Sequence, residues 1–159
     1  MISVVFVCLG NICRSPMAEA VFKKMTAERG IYDKFIISSF GISDCEEGSP
    51  VYPPVKKVLD SRGITVNHTA RQISLKDVVN ADYVLVMDSM NLIDLLRLTG
   101  GEFGGKIFKL CSFTSDPRDV ADPWYTRNFE KAYNDITDGC NCFLEYLLSK
   151  HAESFQKPG

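Results

Sequence analysis

Short apolar runs alternate with amphipathic stretches along the whole chain. Runs rich in β-branched and aromatic residues predict four strands, at residues 2–8, 35–39, 83–87 and 106–110. Stretches with apolar residues at helical spacing predict helices at residues 16–29, 54–62, 74–79, 89–98 and 127–150. Pro16 suits the first turn of the first helix, and Gly30 follows that helix as a stop signal.

The alternation of strands and helices predicts the fold class. Short, mostly apolar strands separated by helices are typical of a parallel sheet that is covered on both faces. We therefore expect an α/β protein with a small three-layer doubly wound fold, in which helices cover both faces of a four-stranded parallel sheet. No repeat or linker interrupts the pattern, so residues 1–159 are expected to form one domain. Ligands of such folds bind beyond the carboxyl ends of the strands, where Cys8 and a loop at residues 112–125 are expected.

The segment from Cys8 to Ser15 carries most of the chemistry that the sequence reveals. A strand runs directly into Cys8, and Arg14 follows at the start of a helix, where unpaired backbone N–H groups and the helix dipole favour an anion. A thiol beside a cation at such a position favours its ionised form. Gly10 lets the backbone turn inward, and Asn11 tolerates a left-handed conformation. The guanidinium of Arg14 offers a planar fork of donors that matches two phosphate oxygens.

Composition and charge narrow the class of protein. The chain has 159 residues, 45% of them apolar and 24% charged, and a net charge of −2, as an ordinary globular protein has. This charge argues against a nucleic-acid partner, and the apolar runs are too short to span a membrane. Six cysteines without a secretory signal indicate reduced thiols and a cytoplasmic location. The two histidines and the lack of a C-x-x-C pair argue against a metal site.

The segment at residues 5–22, Val-Phe-Val-Cys-Leu-Gly-Asn-Ile-Cys-Arg-Ser-Pro-Met-Ala-Glu-Ala-Val-Phe, resembles the signature of low molecular weight protein tyrosine phosphatases. The resemblance continues through residues 68–72, 86–88 and 122–125 and through the final helix. It implies hydrolysis of phosphotyrosine through a phosphocysteine intermediate, on a four-stranded parallel sheet and without a metal or other cofactor. The implied substrates are phosphotyrosine-containing proteins and small aryl phosphates, with inorganic phosphate as the product. We also expect a monomer.

The chemistry of this reaction assigns a role to each group of the loop. The thiolate of Cys8 is expected to attack phosphorus while Arg14 and the loop N–H groups hold the equatorial oxygens, where negative charge spreads in the transition state. The loop residues expected to bind phosphate are Leu9, Gly10, Asn11, Ile12, Cys13, Arg14 and Ser15. The hydroxyl of Ser15 is expected to hydrogen-bond the sulfur of Cys8 and to stabilise it as a leaving group.

Departure of the phenolic oxygen requires a proton donor, and two aspartates in one loop are candidates. Asp116 and Asp122 each precede a proline, which restricts the aspartate to an extended backbone. Asp122 is followed by Trp124 and Tyr125, which are expected to wall a pocket for an aromatic group, and the family pattern places its general acid at the same motif. Asp116 is instead followed by Arg118 and Asp119, a pair typical of a solvated surface. We therefore expect Asp122 to act first as acid and then as base, with a bell-shaped pH dependence on the acid side of neutrality.

The resemblance also implies supporting roles for residues outside the loop. It suggests that Ser39 and His68 join Asn11 and Ser15 in a network that holds the loop in shape. From the residues alone, His68 is equally compatible with a plain loop position. Arg71 is expected to be a surface or capping residue rather than a phosphate ligand. Asp88 is expected to cap the helix that begins near Ser89 rather than to contact the site.

The remaining cysteines divide into two groups. From the residues alone, Cys13 is expected to be a small apolar residue that faces the core. The family resemblance implies instead that Cys13 forms a reversible disulfide with Cys8 and so protects the nucleophile from irreversible oxidation. Packing roles are expected for Cys111, Cys140 and Cys142.

One position departs from the family pattern. Many members carry tryptophan or tyrosine where this chain has Cys45, and that aromatic residue stacks on the substrate ring. We expect Cys45 and Glu46 to line the pocket wall, with Glu46 and Glu47 disfavouring acidic groups next to the phosphotyrosine. Trp124 lies where the family often has tyrosine, so it is expected to compensate for the aromatic residue missing at position 45.

Three other functions fit parts of the pattern. A thiol-coupled arsenate reductase shares the Cys-to-Arg loop but needs additional cysteines near residues 80–90, and this chain has none there. A protein arginine phosphatase typically carries threonine where this chain has Ile12. A catalytically inactive phosphotyrosine-binding module requires the loss of a catalytic group, whereas Cys8, Arg14 and Asp122 are all present.

Overall fold

The computed structural model describes residues 1–156, and the strands and helices follow the predicted alternation. The strands are β1 (Ile2–Cys8), β2 (Phe35–Gly41), β3 (Tyr83–Val86) and β4 (Ile107–Lys109). The helices are α1 (Arg14–Glu28), α2 (Pro53–Ser61), α3 (Leu75–Asn80), α4 (Ser89–Leu98), α5 (Pro123–Thr126) and α6 (Phe129–Lys150). Short 3₁₀ turns at Tyr32–Lys34, Gly104–Lys106, Leu110–Phe113 and Ala152–Phe155 complete the described elements.

The strands form one parallel sheet in the order β2-β1-β3-β4, which confirms the predicted fold class. The chain moves to one side of β1 to form β2 and then crosses to the other side to form β3. The carboxyl ends of β1 and β3 therefore flank the point where the winding direction reverses, which is where open α/β sheets bind ligands. Cys8 ends β1 and Asp88 follows β3 at this point.

Alternating residues of β1 enter two separate cores, so the sheet is covered on both faces. Val4 and Phe6 pack with α1, α2 and α6, whereas Val5 and Val7 pack with α3 and α4. On the first face, Phe22 of α1 contacts a group of aromatic rings at centroid distances of 5.5–5.6 Å; these rings belong to Phe6, Phe35 and Phe143. The predicted three-layer arrangement follows directly from the period-two alternation along β1.

Several predicted boundaries shift because of interactions that a local pattern does not encode. β2 continues two residues beyond residue 39, because Phe40 and Gly41 pair with Val7 and Cys8. Helix α1 begins at Arg14, two residues before the predicted start at Pro16.

The predicted helix at residues 127–150 is wrong at its start. Residues Pro123–Thr126 form the separate turn α5, and Arg127 then adopts a left-handed backbone with φ of 58° before α6 begins at Phe129. Asp122 caps α5, since its Oδ1 accepts a hydrogen bond from the Trp124 N–H at 3.0 Å. The loop predicted at residues 112–125 therefore contains the end of one 3₁₀ turn and most of one short helix.

Within residues 1–156, no helix is long and apolar enough to cross a membrane.

We expect Leu144→Ala to lower the free energy of unfolding by about 2–5 kcal/mol, because it opens a cavity in a packed core. Leu144 lies on α6 and is 1% exposed. Urea denaturation followed by circular dichroism measures this loss. Leu98→Ala is the matched control, since Leu98 ends α4 and is 57% exposed, and its loss is expected to stay below about 1 kcal/mol. Equal losses for the two variants would contradict the assignment of this face of α6 to the core.

Candidate active site

The loop between β1 and α1 curls around the sulfur of Cys8. Its left-handed residue is Asn11, with φ of 58°, whereas Gly10 does not adopt a positive φ. The left-handed conformation that Asn11 was expected to tolerate is confirmed. Helix α1 starts without a side-chain cap at Cys13, so its first turn can serve an anion instead.

The loop rests directly on the end of β2, a contact that sequence reasoning missed. A side-chain Cβ added at Gly41 would lie 3.0 Å from the carbonyl oxygen of Leu9, 3.1 Å from Cβ of Asn11 and 3.2 Å from the carbonyl carbon of Gly10. The carbonyl of Leu9 also accepts a hydrogen bond from the Ser43 N–H at 3.0 Å. Gly41 is therefore required for the close approach of the two backbones.

Asn11 directs a chain of hydrogen bonds toward Cys8, and the geometry fixes their polarity. The backbone N–H of Arg71 can only donate, and it lies 3.1 Å from Oδ1 of Asn11, so Oδ1 is the acceptor and Nδ2 the donor. Nδ2 donates to Oγ of Ser15 at 2.8 Å and to Oγ of Ser39 at 3.1 Å. Nε2 of His68, 2.9 Å from the same Oδ1, must therefore be protonated and donate. The structure thus brings together the four residues of the expected network.

Glu19 extends this network, although no sequence pattern singled it out. Its Oε1 accepts a hydrogen bond from Oγ of Ser39 at 2.6 Å and lies 3.7 Å from Nδ1 of His68. Its Oε2 accepts a hydrogen bond from Lys23 at 2.6 Å. Burial lowers the pKa of His68, while the carboxylate of Glu19 opposes this shift. The spacing of Glu19 from Ser15 on α1 was the available signal, because residues four apart share one helix face.

Cys8 is 3% exposed, and its sulfur lies close to two hydrogen-bond donors. The backbone N–H of Asn11 lies 3.3 Å from it, and Oγ of Ser15 lies 3.0 Å from it. Because Ser15 accepts from Asn11 and lies farther, at 3.4 Å, from the carbonyl of Phe40, its own hydrogen is best placed to point at the sulfur. Both contacts direct a hydrogen at the sulfur of Cys8.

Arg14 is 2% exposed, and three acceptors from two other segments compensate its charge. Its Nη1 donates to Oδ2 of Asp88 and to the carbonyl of Val120, each at 2.7 Å, and its Nη2 lies 3.5 Å from Oδ2 of Asp122. Burial opposes the charge on Arg14, but the Cys8 sulfur, Asp88 and Asp122 together raise the pKa of the guanidinium above its ordinary value. Arg14 therefore stays charged inside the protein.

The expectation that Asp88 caps a helix without contacting the site is half wrong. Its Oδ1 accepts a hydrogen bond from the Asn91 N–H at 2.7 Å, as a cap does, but its Oδ2 binds Arg14. A carboxylate has two oxygens, so one residue serves both purposes. The position of Asp88 directly after β3, at the same sheet edge as Cys8, was the signal for this contact.

Arg71 is exposed, and its guanidinium lies 4.2 Å from the ring centroid of Phe40, as expected of a surface residue.

Asp122 and Asp116 lie in different surroundings. Asp122 is half-buried beside Arg14 and lines a cavity, whereas Asp116 is exposed and does not line it. The expectation that Arg118 is a solvated residue is wrong. Arg118 is half-buried and binds Asp135 at 3.0 Å and Asp138 at 2.9 Å, and this ties the loop to α6.

A cavity of about 210 Å³ collects most of the predicted site residues. It is lined by Cys8, Leu9, Gly10, Ile12, Cys13, Arg14, Cys45, Glu46, Asp122, Trp124 and Tyr125. The side chains of Asn11 and Ser15 do not line it, because both residues are fully buried behind the loop, where they join Ser39 and His68. The floor of the cavity thus holds a sulfur and a buried cation, and its rim holds aromatic and acidic side chains.

The other cysteines are unpaired and differ in their surroundings. Cys13 is buried, and burial together with the charge at Cys8 raises its pKa to about 12, so it is a neutral thiol at physiological pH. Cys111 and Cys140 are fully buried, in keeping with packing roles. Cys142 is only half-buried, with its sulfur 3.8 Å from Oδ1 of Asp138, so its packing role is partial.

Comparisons with known proteins agree over nearly the whole chain. The family model described as low molecular weight phosphotyrosine protein phosphatase matches residues 3–153. Low molecular weight protein-tyrosine-phosphatase YfkJ of Bacillus subtilis is 41% identical over 147 residues, which cover 91% of this chain and 94% of the relative. The crystal structure of YfkJ superimposes with a TM-score of 0.92, covering 95% of this chain and 97% of that one, at 38% identity.

Two further relatives widen the comparison. The low molecular weight phosphotyrosine protein phosphatase of Sus scrofa is 41% identical over 151 residues, covering 90% of this chain and 94% of the relative. The crystal structure of a Drosophila arginine phosphatase superimposes with a TM-score of 0.84 at 31% identity, covering 90% of this chain and 96% of that one.

We expect Gly41→Ala to weaken the binding of inorganic phosphate about tenfold, because the added Cβ displaces the loop backbone by a few tenths of an ångström. Isothermal titration calorimetry measures the affinity. Gly105→Ala is the matched control, since its Cβ would meet no atom within 4 Å, and it is expected to bind phosphate as the unmodified protein does. Unchanged affinity in Gly41→Ala would show that the close approach of β2 does not shape the anion site.

Proposed function

Because this chain belongs to the low molecular weight phosphotyrosine protein phosphatase family, we propose that it hydrolyses phosphotyrosine monoesters through a phosphocysteine intermediate on Cys8. The observation that carries this proposal is the convergence of three side chains on one cavity: Cys8, Arg14 and Asp122. Each supplies one requirement of phosphate ester hydrolysis, namely a nucleophile, a cation for the phosphoryl oxygens and a proton donor.

In the first step, the thiolate of Cys8 attacks phosphorus and an S–P bond forms as the bond from phosphorus to the phenolic oxygen breaks. Asp122 gives its proton to that oxygen, so tyrosine leaves as a neutral phenol. The hydrogen bonds from Ser15 and from the Asn11 N–H support this role for Cys8, because they stabilise the sulfur as an anion before attack and again when it departs.

Arg14 stabilises the charge on the phosphoryl group during transfer. Asp88 and the carbonyl of Val120 hold its Nη1, so the guanidinium plane is fixed before the substrate arrives. The remaining N–H groups of Arg14 and the backbone N–H groups of the loop bind the equatorial oxygens. A preorganised donor set of this kind needs no reorganisation in the transition state.

In the second step, Asp122 acts as the base. It takes a proton from water, whose oxygen attacks phosphorus, and the S–P bond breaks to release inorganic phosphate and the Cys8 thiolate. The half-buried position of Asp122 at the start of α5, 3.5 Å from Arg14, supports its assignment in preference to the exposed Asp116. No metal or other cofactor takes part in this scheme.

The rim of the cavity defines the substrate class that we propose: phosphotyrosine-containing proteins and small aryl phosphates. Trp124 and Tyr125 give it aromatic surface, while Glu46 gives it negative charge. Exposed Cys45 occupies the place of the usual aromatic residue, so Trp124 takes over the packing against the substrate ring. Glu46 and the neighbouring Glu47 disfavour acidic residues beside the phosphotyrosine.

We also propose that Cys13 protects the nucleophile. Oxidation of Cys8 by a peroxide gives a sulfenic acid, and the thiol of Cys13 then condenses with it to form a disulfide and water. The location of both residues on one short loop and at one cavity supports this pairing.

Three further predictions concern the protein as a whole. Buried residues from Ile2 to Leu147 form one cluster on the first face of a single sheet, which supports a single domain over residues 1–159. The six unpaired cysteines support a reducing, cytoplasmic location. The monomeric state stays a prediction.

We expect the unmodified protein to hydrolyse p-nitrophenyl phosphate and a phosphotyrosine peptide, and Cys8→Ser to reduce both rates to the background of the assay. The serine hydroxyl is a far weaker nucleophile than a thiolate at the same pH. Cys142→Ser, on the half-buried face of α6, is the matched control and should retain full activity.

A phosphoarginine peptide tests the arginine phosphatase alternative. Faster release of phosphate from it than from the phosphotyrosine peptide would refute the tyrosine assignment.

We expect Asp122→Asn to lower kcat for phenyl phosphate by about 10²–10⁴-fold, because phenolate departs poorly without a proton. The loss should be smaller for p-nitrophenyl phosphate, whose leaving group is more stable as an anion. The rate of the unmodified enzyme should follow a bell-shaped pH profile with its maximum below neutrality. In Asp122→Asn the decrease of the rate on the alkaline side should disappear, because the acid that loses its proton there is absent. Asp116→Asn is the control and should keep both rates. A rate in the unmodified enzyme that still rises above about pH 8 would contradict the roles of the thiolate and the acid.

A further inference from the structure

Tyr52 connects the phosphate loop to the aromatic rim of the cavity. Its backbone N–H donates to the carbonyl of Ile12 in the loop at 2.9 Å. Its ring packs against the indole of Trp124, with the ring centroids 4.9 Å apart and the planes tilted by 54°. The loop and the indole wall are therefore joined through one residue.

Arg127 holds the phenol end of Tyr52. Its Nη2 donates to Oη of Tyr52 at 3.0 Å, and its guanidinium lies 5.5 Å from the Tyr52 ring centroid and 5.2 Å from that of Phe129. The left-handed backbone at Arg127 ends α5, and its N–H donates to the carbonyl of Pro123 at 2.9 Å. The turn that carries Trp124 is thus closed by the same residue that holds Tyr52.

Trp124 depends on this contact for its position. It lies on α5, a helix of four residues, and it is 45% exposed although it lines the cavity. Such a side chain lacks the surrounding core that holds a buried indole in one rotamer. Among the described residues that line the cavity, the only other aromatic one is Tyr125, which is 77% exposed.

We infer that Tyr52 is a positioning residue, which holds Trp124 as the wall against which the aromatic ring of the substrate packs. This inference rests on the proposed function for the identity of the substrate. Tyr52 touches neither the phosphate nor the reacting atoms, so its effect falls on the affinity for aryl esters and not on the chemical step. Phosphate monoesters without an aromatic ring bind independently of it.

The kinetic test compares p-nitrophenyl phosphate with the aliphatic ester β-glycerophosphate. Tyr52→Ala is expected to raise KM for the aryl ester roughly three- to tenfold and to leave its kcat within about twofold. KM for β-glycerophosphate and the inhibition constant of inorganic phosphate should not change. Tyr52→Phe keeps the ring and should retain most of the aryl affinity. Tyr32→Ala, which removes an exposed tyrosine outside the site, is the matched control and should change nothing.

A double-mutant cycle tests whether Tyr52 acts through Trp124. Trp124→Ala should raise the aryl KM, and Tyr52→Ala should then have no additional effect, because the wall that it positions is gone. Arg127→Ala removes the hydrogen bond to Oη of Tyr52 but keeps the tyrosine ring, so it loosens the contact with Trp124 in a variant that keeps the fold. It should raise the aryl KM by about two- to threefold.

Fluorescence gives a readout that does not require catalysis, because Trp124 is the only tryptophan of the chain. Tyr52→Ala should lower the anisotropy of its emission, and Tyr52→Phe should not. Phenylphosphonate, an aryl anion that is not hydrolysed, should change the emission of the unmodified protein more than inorganic phosphate does, and Tyr52→Ala should lose that difference.

Two results would overturn the inference. One is an equal loss of aryl and aliphatic turnover in Tyr52→Ala, which would indicate damage to the phosphate loop. The other is an increase in the aryl KM that is additive in the Tyr52→Ala/Trp124→Ala double mutant, together with an unchanged anisotropy of the Trp124 emission in Tyr52→Ala. Failure of the proposed function would look different, since the unmodified protein would then hydrolyse neither ester while the anisotropy still reports on the contact between Tyr52 and Trp124.

Discussion

The buried guanidinium of Arg14 is the interaction on which the site depends. A charge that is 2% exposed must be compensated inside the protein, and here the compensation comes from Asp88 after β3 and from Val120 in the loop before α5. Removing one partner of such a buried pair typically costs about 3–5 kcal/mol. The same hydrogen bonds therefore stabilise the fold, join three segments at one sheet edge and fix the plane of the group that we propose to bind phosphate.

The polarity of the hydrogen bonds around Asn11 complements this arrangement. One unambiguous donor, the Arg71 N–H, orients the amide, so that Nδ2 of Asn11 donates to Ser15, whose hydroxyl points at Cys8. A second branch runs from the same Nδ2 through Ser39 to Glu19. The left-handed backbone of Asn11 and the absence of a side chain at Gly41 let the loop close tightly enough for these contacts. One hydrogen-bond network thus fixes the cation of Arg14, and a second one, around Asn11, supplies donors to the sulfur of Cys8. The two networks meet at the loop between β1 and α1.

The fold was predictable because its signals are local. Period-two and period-3.6 patterns locate the strands and most helices, and the rule for parallel sheets places Cys8 and the loop of Asp122 at one edge. The resemblance anticipated the grouping of Ser39 and His68 with Asn11. The contact of Arg14 with the carbonyl of Val120 and the packing of Tyr52 on Trp124 could not be predicted, because they join residues far apart in sequence through the main chain or side-chain geometry. The pairing of Asp88 with Arg14 was missed, although the position of Asp88 directly after β3 was a signal for it. The break at Arg127 was missed because a single left-handed residue leaves the apolar periodicity unchanged.

A crystal structure with vanadate tests the central claim most directly, because vanadate adopts the trigonal bipyramid of a phosphoryl group in transfer. We predict vanadium bonded to Sγ of Cys8 and two equatorial oxygens about 2.8 Å from nitrogens of Arg14, with Asp88 and Val120 still holding Nη1. Asp122 should face the apical oxygen opposite the sulfur. Vanadate bound outside the loop, or held there with every Arg14 nitrogen more than about 4 Å from its oxygens, would contradict the account.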